Sequence, residues 1–174
     1  MKTIRILALL AMLVVCGTTG AVAQTTASAS ASATVTTSLA LNVTNTTFSF
    51  GSLTSTDFDA GFKAAPTTSV ISHRGNVRHT VSVAANAATF TGSNGTSSTD
   101  PVRANKPASD LLWSKDAFAT AGNALSTSAA PVISQSARGR YDNAVTVAYR
   151  FLLSYAQDTP GDYALALTYT IAAD

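Results

Sequence analysis

The fold of this chain is decided near its end, by the stretch Asp158-Thr-Pro-Gly-Asp-Tyr-Ala-Leu-Ala-Leu-Thr-Tyr-Thr-Ile171. A turn signal occupies Thr159 to Asp162, and strict alternation of side-chain size follows it. The larger side chains of the alternation are Tyr163, Leu165, Leu167, Tyr169 and Ile171. Because successive side chains of a strand point to opposite faces, this period of two predicts a half-buried β-strand.

The rest of the chain repeats this alternation in shorter or longer runs. It predicts strands at 35–43, 67–73, 77–84, 88–91, 109–114, 131–135 and 144–154. We expect 67–73 and 77–84 to form a hairpin, and 144–154 to lie antiparallel to the last strand. Residues 116–125 are expected to hold a helical turn. Seven to nine strands in one domain predict an all-β, antiparallel β-sandwich.

The beginning of the chain is typical of a secretory signal peptide, which we place at residues 1–23. Lys2 and Arg5 precede an apolar run from Ile6 to Val15, which is too short to span a bilayer comfortably. Small residues before Gln24 predict cleavage there. The alternatives are a retained membrane anchor, or lipidation of Cys16.

Two regions follow the predicted cleavage site. Residues 24–34 are a low-complexity segment of Ala, Ser and Thr, which is either a flexible lead peptide or an extended strand that pairs with something. Residues 35–174 form the predicted β-sandwich domain. We expect no membrane span after cleavage.

Composition excludes several classes of function. The chain has 11 Lys and Arg against 9 acidic residues, all Asp, and removal of Lys2 and Arg5 leaves the two signs equal. No basic patch remains to bind nucleic acid. The single cysteine, Cys16, lies within the predicted signal peptide, so the mature chain has neither a disulfide nor a thiolate.

The residues that could carry chemistry are few. His73 and His79 could meet across the predicted hairpin, but a metal site normally needs three or four ligands. Asp57 and Asp59 lack the remaining positions of a calcium-binding loop, and we expect them to be solvated turn residues. We therefore expect no catalytic, cofactor-binding or metal site, and no cofactor. Trp113, the only tryptophan, is expected in the core.

Both ends of the sandwich region resemble one group of bacterial proteins. The turn at Thr159 to Asp162 with the alternating strand after it resembles the C-terminal end of secreted pilin-like and spore-coat-U-like domains. The run from Val35 to Gly51, a strand followed by Phe48-Ser-Phe50-Gly51, is similar to their opening.

This resemblance implies an immunoglobulin-like sandwich and a role in assembly. In chaperone–usher pilins, an extended segment of one subunit completes the sheet of the next. Gly161 is placed like the glycine of the pilin C-terminal motif. The chain departs from the pilins at Ala173, where they usually have Tyr, and it lacks their disulfide.

These observations lead to one expected function and to alternatives from other classes. We expect a secreted, non-enzymatic structural or cell-surface protein, such as a subunit of a filament, pilus-like or coat assembly. Its partners would be copies of itself or other surface proteins, joined by β-strand addition. The first alternative is a carbohydrate-binding or adhesive module that stacks glycans on an exposed Trp113. A hydrolase whose site is invisible in one sequence is the third hypothesis.

Overall fold

The structure is a computed structural model and describes residues 30–93, 102–103 and 105–174. The predicted signal peptide, Cys16 and residues 24–29 of the lead segment lie outside the described residues. Contacts divide the chain into two compact units, Met1–Val35 and Thr36–Asp174. In the first unit, the described residues 30–35 contain neither helix nor strand.

The second unit contains eleven strands and one short α-helix within the described residues. They are β1 (Leu39–Thr44), α1 (Ser55–Ala60), β2 (Phe62–Ala64), β3 (Ser69–Gly75), β4 (His79–Ala85), β5 (Thr91–Ser93), β6 (Leu111–Ser114), β7 (Asn123–Ala124), β8 (Ala130–Ser136), β9 (Gly139–Leu152), β10 (Asp162–Ala164) and β11 (Leu167–Ala173). A single turn of 3₁₀-helix, Ala108–Asp110, precedes β6. The all-β prediction is confirmed, although short strands raise the strand number above the seven to nine expected.

The larger sheet has six strands, and all neighbours are antiparallel. Its order is β1-β3-β9-β6-β7, and β2 also pairs with β9. The long strand β9 pairs with three of the other strands, and its first half, up to Val147, pairs with β3. Its second half lies between β6 and β2. β9 is therefore the central strand of this sheet.

The smaller sheet has the order β11-β4-β8, and a separate pair joins β5 to β10. In β4, every second residue from His79 to Ala85 is buried, and the residues between them are partly exposed. In β11, Leu167, Tyr169 and Ile171 are half-buried while Thr168 and Thr170 are exposed. The alternation of burial predicted from Tyr163 to Ile171 is confirmed. The single strand predicted there is wrong, because the chain leaves the strand at Leu165 and forms β10 and β11, which pair with β5 and β4.

The core lies between the two sheets. It is formed by Ile71, Val81, Val83, Ala85, Phe90, Ala108, Leu111, Trp113, Leu125, Val132, Val147, Tyr149, Phe151 and Leu153. Each large side chain among them contributes about 1.5–3 kcal/mol of burial free energy before entropy is subtracted. Since this set draws on β3, β4, β6, β8 and β9, the antiparallel sandwich predicted from the sequence is confirmed.

Two predicted strand pairings are wrong. The segments of the expected hairpin, β3 and β4, lie in different sheets, because β3 pairs with β1 and β9 whereas β4 pairs with β11 and β8. The long strand β9 and the last strand β11 are likewise in different sheets rather than antiparallel neighbours. Period-two alternation identifies the buried face of a strand, and it is the same whether the next strand pairs with it or crosses to the opposite sheet.

Strand β1 begins four residues later than predicted. Its pairing with β3 starts at Leu39 opposite Gly75, where β3 ends. Beyond that point the Asn76 side chain replaces the missing strand partner: Ser38 N–H donates to its Oδ1 at 2.8 Å, and its Nδ2 donates to the Thr36 carbonyl at 2.6 Å.

The segment 52–66, which the sequence pattern assigns to neither a strand nor a helix, contains helix α1 and strand β2. Thr54 N–H donates to the Asp57 carboxylate at 2.9 Å, and Asp57 N–H donates to the Thr54 carbonyl at 3.0 Å. Gly61 ends the helix with φ 75°, a conformation that glycine adopts without strain. The Thr-x-x-Asp spacing is the sequence signal for this helix start.

The predicted helical turn at 116–125 is wrong. Ala117 and Phe118 have φ of 53° and 67°, outside the right-handed helical region. The loop is organised around the Asp116 carboxylate, which accepts hydrogen bonds from Phe118 N–H and Thr120 N–H at 3.1 and 3.2 Å. A side chain that accepts local backbone N–H groups competes with helix formation.

Candidate functional site

The two histidines do meet, but from opposite sheets. His73 Nδ1 of β3 lies 2.7 Å from His79 Nε2 of β4. His79 Nδ1 is 2.9 Å from the Val77 carbonyl oxygen, which can only accept a hydrogen bond. His79 Nδ1 therefore donates to Val77, and His79 Nε2 accepts the hydrogen bond from His73 Nδ1.

The surroundings of His73 favour its neutral form. Both rings are buried, and Tyr141 stacks on His73 with centroids 4.8 Å apart. Burial lowers the pKa of His73, and the neighbouring His79 lowers it further. Within the described residues, no group of three His, Cys, Asp or Glu side chains could hold a metal ion. The pair therefore acts as a hydrogen-bonded link between the sheets.

The other residues that could carry chemistry also have structural roles in the fold. Trp113 lies in β6 and is buried in the core, as predicted. Asp57 caps α1 and forms a salt bridge with Lys63 at 2.9 Å, so it is engaged rather than merely solvated. The hydrogen bond from Lys63 and those from Thr54 lower the pKa of Asp57. Hydrogen bonds from Ser114 and Thr120 lower the pKa of Asp116 to about 2.

The feature with the clearest capacity for interaction is an open seam between β1 and β11. These strands lie side by side, each at an edge of its own sheet. In the part of the chain that the structure describes, no backbone hydrogen bond joins them. Each strand therefore keeps a row of backbone donors and acceptors without a strand partner.

A cleft of about 250 Å³ opens into the sandwich at this seam. Its lining is largely apolar and aromatic: Leu41, Val43, Thr46, Phe48, Ser69, Tyr149, Leu167 and Tyr169. Pockets that bind small molecules usually have roughly 300–1,000 Å³ and convergent polar groups. The cleft at the seam has a smaller volume than such pockets. Its apolar and aromatic lining suits the apolar side chains of an extended peptide.

The floor of the seam is formed by two tyrosines that join the sheets. The Tyr149 hydroxyl, from β9, forms a hydrogen bond with the Tyr169 hydroxyl of β11. It also donates to Ser69 Oγ at 3.3 Å. Burial raises the pKa of both tyrosines, so both hydroxyls are neutral. Phe48 stacks on Tyr149 with centroids 4.3 Å apart and covers it.

Sequence reasoning placed these tyrosines correctly on inward faces but did not identify the seam. Tyr149 and Tyr169 both occupy apolar positions of an alternating strand, which is the signal that predicted their burial. Whether two strands border the same cleft depends on the order of the strands in the sheets. The alternation of side chains carries no information about that order.

The comparisons with known proteins add no identification. No protein-family model matches the chain, and no curated protein matches it. Among the described residues, no helix is long and apolar enough to cross a bilayer.

Proposed function

We propose that the chain is a secreted, non-enzymatic structural protein of the bacterial cell surface that assembles by adding a strand of another copy at the seam. The observation that carries this proposal is the pair of unjoined edge strands, β1 and β11, with an apolar cleft between them. Exposed edges of this kind accept extended peptides, with backbone hydrogen bonds providing affinity and side-chain pockets providing specificity.

The sequence supplies a strand of suitable character. In residues 26–34, Ala alternates with Ser or Thr, so an extended conformation would present one face of methyl groups and one face of hydroxyls. Small apolar side chains suit a cleft of about 250 Å³. The signal-peptide pattern and the resemblance to pilin-like and spore-coat-U-like domains support export and assembly.

A matched pair of variants tests this proposal. Leu41 lies in β1 and lines the cleft, whereas its neighbour Asn42 is exposed on the opposite face of the same strand. Leu41→Lys places a charge in the cleft and is expected to abolish assembly, while Asn42→Lys is expected to leave assembly intact.

Negative-stain electron microscopy and light scattering of the exported protein provide the readout. Removal of residues 24–34 should abolish assembly as Leu41→Lys does. Polymers that persist after both changes would exclude the seam and the lead segment as the assembly contact. Circular dichroism spectra must match wild type, so that loss of assembly is not loss of folding.

A second candidate function, glycan binding, is favoured by one surface feature. Tyr155 is 64% exposed, and its ring stacks on Phe58 with centroids 4.9 Å apart. Its hydroxyl is 3.1 Å from Asp59 Oδ1, so an aromatic face and a carboxylate lie together. Trp113, the residue first considered for this role, is buried. A glycan array in which binding is lost with Tyr155→Ala would favour this function, and an array without hits would exclude it.

A further inference from the structure

Four charged side chains form a cluster away from the seam, in which Lys106 and Asp158 are buried while Arg103 and Asp110 are partly exposed. Lys106 is completely buried, and its Nζ lies 2.9 Å from Asp158 Oδ1 and 3.1 Å from Asp110 Oδ2. The same Nζ donates to the Leu152 carbonyl at 2.8 Å. Arg103 Nη1 lies 2.9 Å from Asp158 Oδ1 and 3.5 Å from Asp110 Oδ2. Two cations and two carboxylates thus share one site.

Water has little access to the reactive atoms of this cluster. The Asp158 side chain is only 4% exposed, and the Phe151 ring covers Nζ at 4.4 Å from its centroid. The second Asp158 oxygen, Oδ2, accepts a hydrogen bond from Ser154 N–H at 2.9 Å. Charged groups are rarely buried this completely, because their desolvation is only partly offset by pairing.

We propose that Lys106 and Asp158 are joined by an intramolecular isopeptide bond between Nζ and Cγ. The geometry brings an amine nitrogen and a carboxyl group into contact in a site that excludes water. Such proximity converts a bimolecular condensation into an intramolecular one. This covalent link is independent of the function proposed above.

The reaction needs no reagent beyond the residues present. The Lys106 ammonium passes one proton to Asp110, and the neutral amine attacks Asp158 Cγ. The Nζ–Cγ bond forms, and the bond from Cγ to Oδ1 breaks. Oδ1 leaves as water, with the proton from Asp110 and a second proton from the amine. An ammonium and a carboxylate thus become an amide and one water, and Asp110 returns to its ionised form.

The neighbouring groups support each step of this reaction. Arg103, on Oδ1, and Ser154 N–H, on Oδ2, stabilise the negative charge that develops on the Asp158 oxygens. After condensation two buried charges are gone, and Arg103 and Asp110 remain as a neutral pair. Burial alone would raise the pKa of Asp158, but the hydrogen bonds from Lys106 and Arg103 hold it below its usual value, so the starting state is an ion pair.

A second Lys–Asp salt bridge in the chain has the same N–O distance but lacks the burial and the second carboxylate of the cluster. Lys63 Nζ lies 2.9 Å from Asp57, the same distance as in the cluster, but its side chain is 32% exposed. In the described part of the chain, no second carboxylate contacts Lys63 to exchange its proton. We expect this pair to remain ionic, which makes it an internal control.

Peptide mass spectrometry of the denatured wild-type protein tests the proposal. Trypsin cuts poorly before Pro107, so digestion yields peptide 104–115, with both Lys106 and Asp110, and peptide 151–174, with Asp158. The expected result is one branched peptide that contains both segments and has lost the mass of one water. Recovery of both peptides separately at full mass would overturn the proposal. A water loss confined to peptide 104–115 would assign the bond to Asp110 and would also overturn it.

Variants separate the roles within the cluster. Lys106→Arg keeps the positive charge but should give two separate, full-mass peptides. Asp110→Asn keeps Lys106 and Asp158 and should also prevent the link; a branched peptide in this variant would refute the proton-transfer role of Asp110. Because wild type alone decides whether the bond exists, misfolding of a variant leaves the test intact. Water loss between Lys63 and Asp57 would indicate an artefact of handling and count against the bond.

Discussion

Replacement of Tyr149 by alanine should cost more stability than any other single change at the seam. The side chain is 1% exposed, it stacks on Phe48 at 4.3 Å, and its hydroxyl joins the two sheets through Tyr169. Removal of a buried aromatic ring leaves a cavity and typically costs about 3–5 kcal/mol. We expect Tyr149→Ala to lower the free energy of unfolding by that amount.

Tyr149→Phe separates the contribution of the hydroxyl to the free energy of unfolding from the contribution of the ring. The ring remains, and Ser69 Oγ keeps its hydrogen bond to the Asn45 carbonyl at 3.1 Å. The Tyr169 hydroxyl and Ser69 Oγ each lose their hydrogen bond with Tyr149, so a loss of about 1–2 kcal/mol is expected.

Urea unfolding followed by fluorescence measures both changes, because the only tryptophan, Trp113, is buried in the core. The matched control is Tyr155→Phe, which removes the hydroxyl of an exposed tyrosine and should change the free energy of unfolding by less than about 0.5 kcal/mol. A loss below about 1 kcal/mol for Tyr149→Ala would refute the inward placement of this side chain.

Two further predictions concern the histidine pair. The lowered pKa of His73 means that the unfolded chain binds the proton more tightly, so stability is complete above the unfolded value of about 6.5 and declines as the pH falls below it. Urea unfolding between about pH 7.5 and pH 5 should show this decline, and His73→Phe should flatten it; a flat wild-type profile would contradict the burial of neutral His73. Gly75→Ala should destabilise the fold by about 1–3 kcal/mol, because the new Cβ would lie 2.7 Å from both His79 Nδ1 and Leu39 Cδ2. Thermal unfolding measures this change, and a melting temperature equal to wild type would show that His79 and Leu39 can move aside.

The sequence predicts which face of a strand is buried better than it predicts which strands pair with each other. In the last strand, alternation correctly assigned Leu167, Tyr169 and Ile171 to the buried side. It could not identify β4 as the partner, because hydrogen bonds between backbones are independent of the side-chain pattern. The same limit explains why His73 and His79 were expected to meet across a hairpin but meet across the sandwich instead.

The charged cluster shows a different limit. Lys106 stands in the polar run Arg103-Ala-Asn-Lys-Pro107, which gives no sign of burial. It is buried because this segment contacts the loop after β9, where Asp158 lies 52 residues further along the chain. Contacts between distant loops depend on the whole fold, so neither the cluster nor the seam could be found from local patterns.

The measurement that tests the central claim most directly is sedimentation velocity of the wild-type protein, exported with its leader and studied over a wide range of concentration. If the seam between β1 and β11 accepts a strand of another copy, the protein should form oligomers that grow with concentration, and Leu41→Lys should sediment as a monomer. A wild-type protein that remains monomeric at the highest concentration would contradict assembly through this seam.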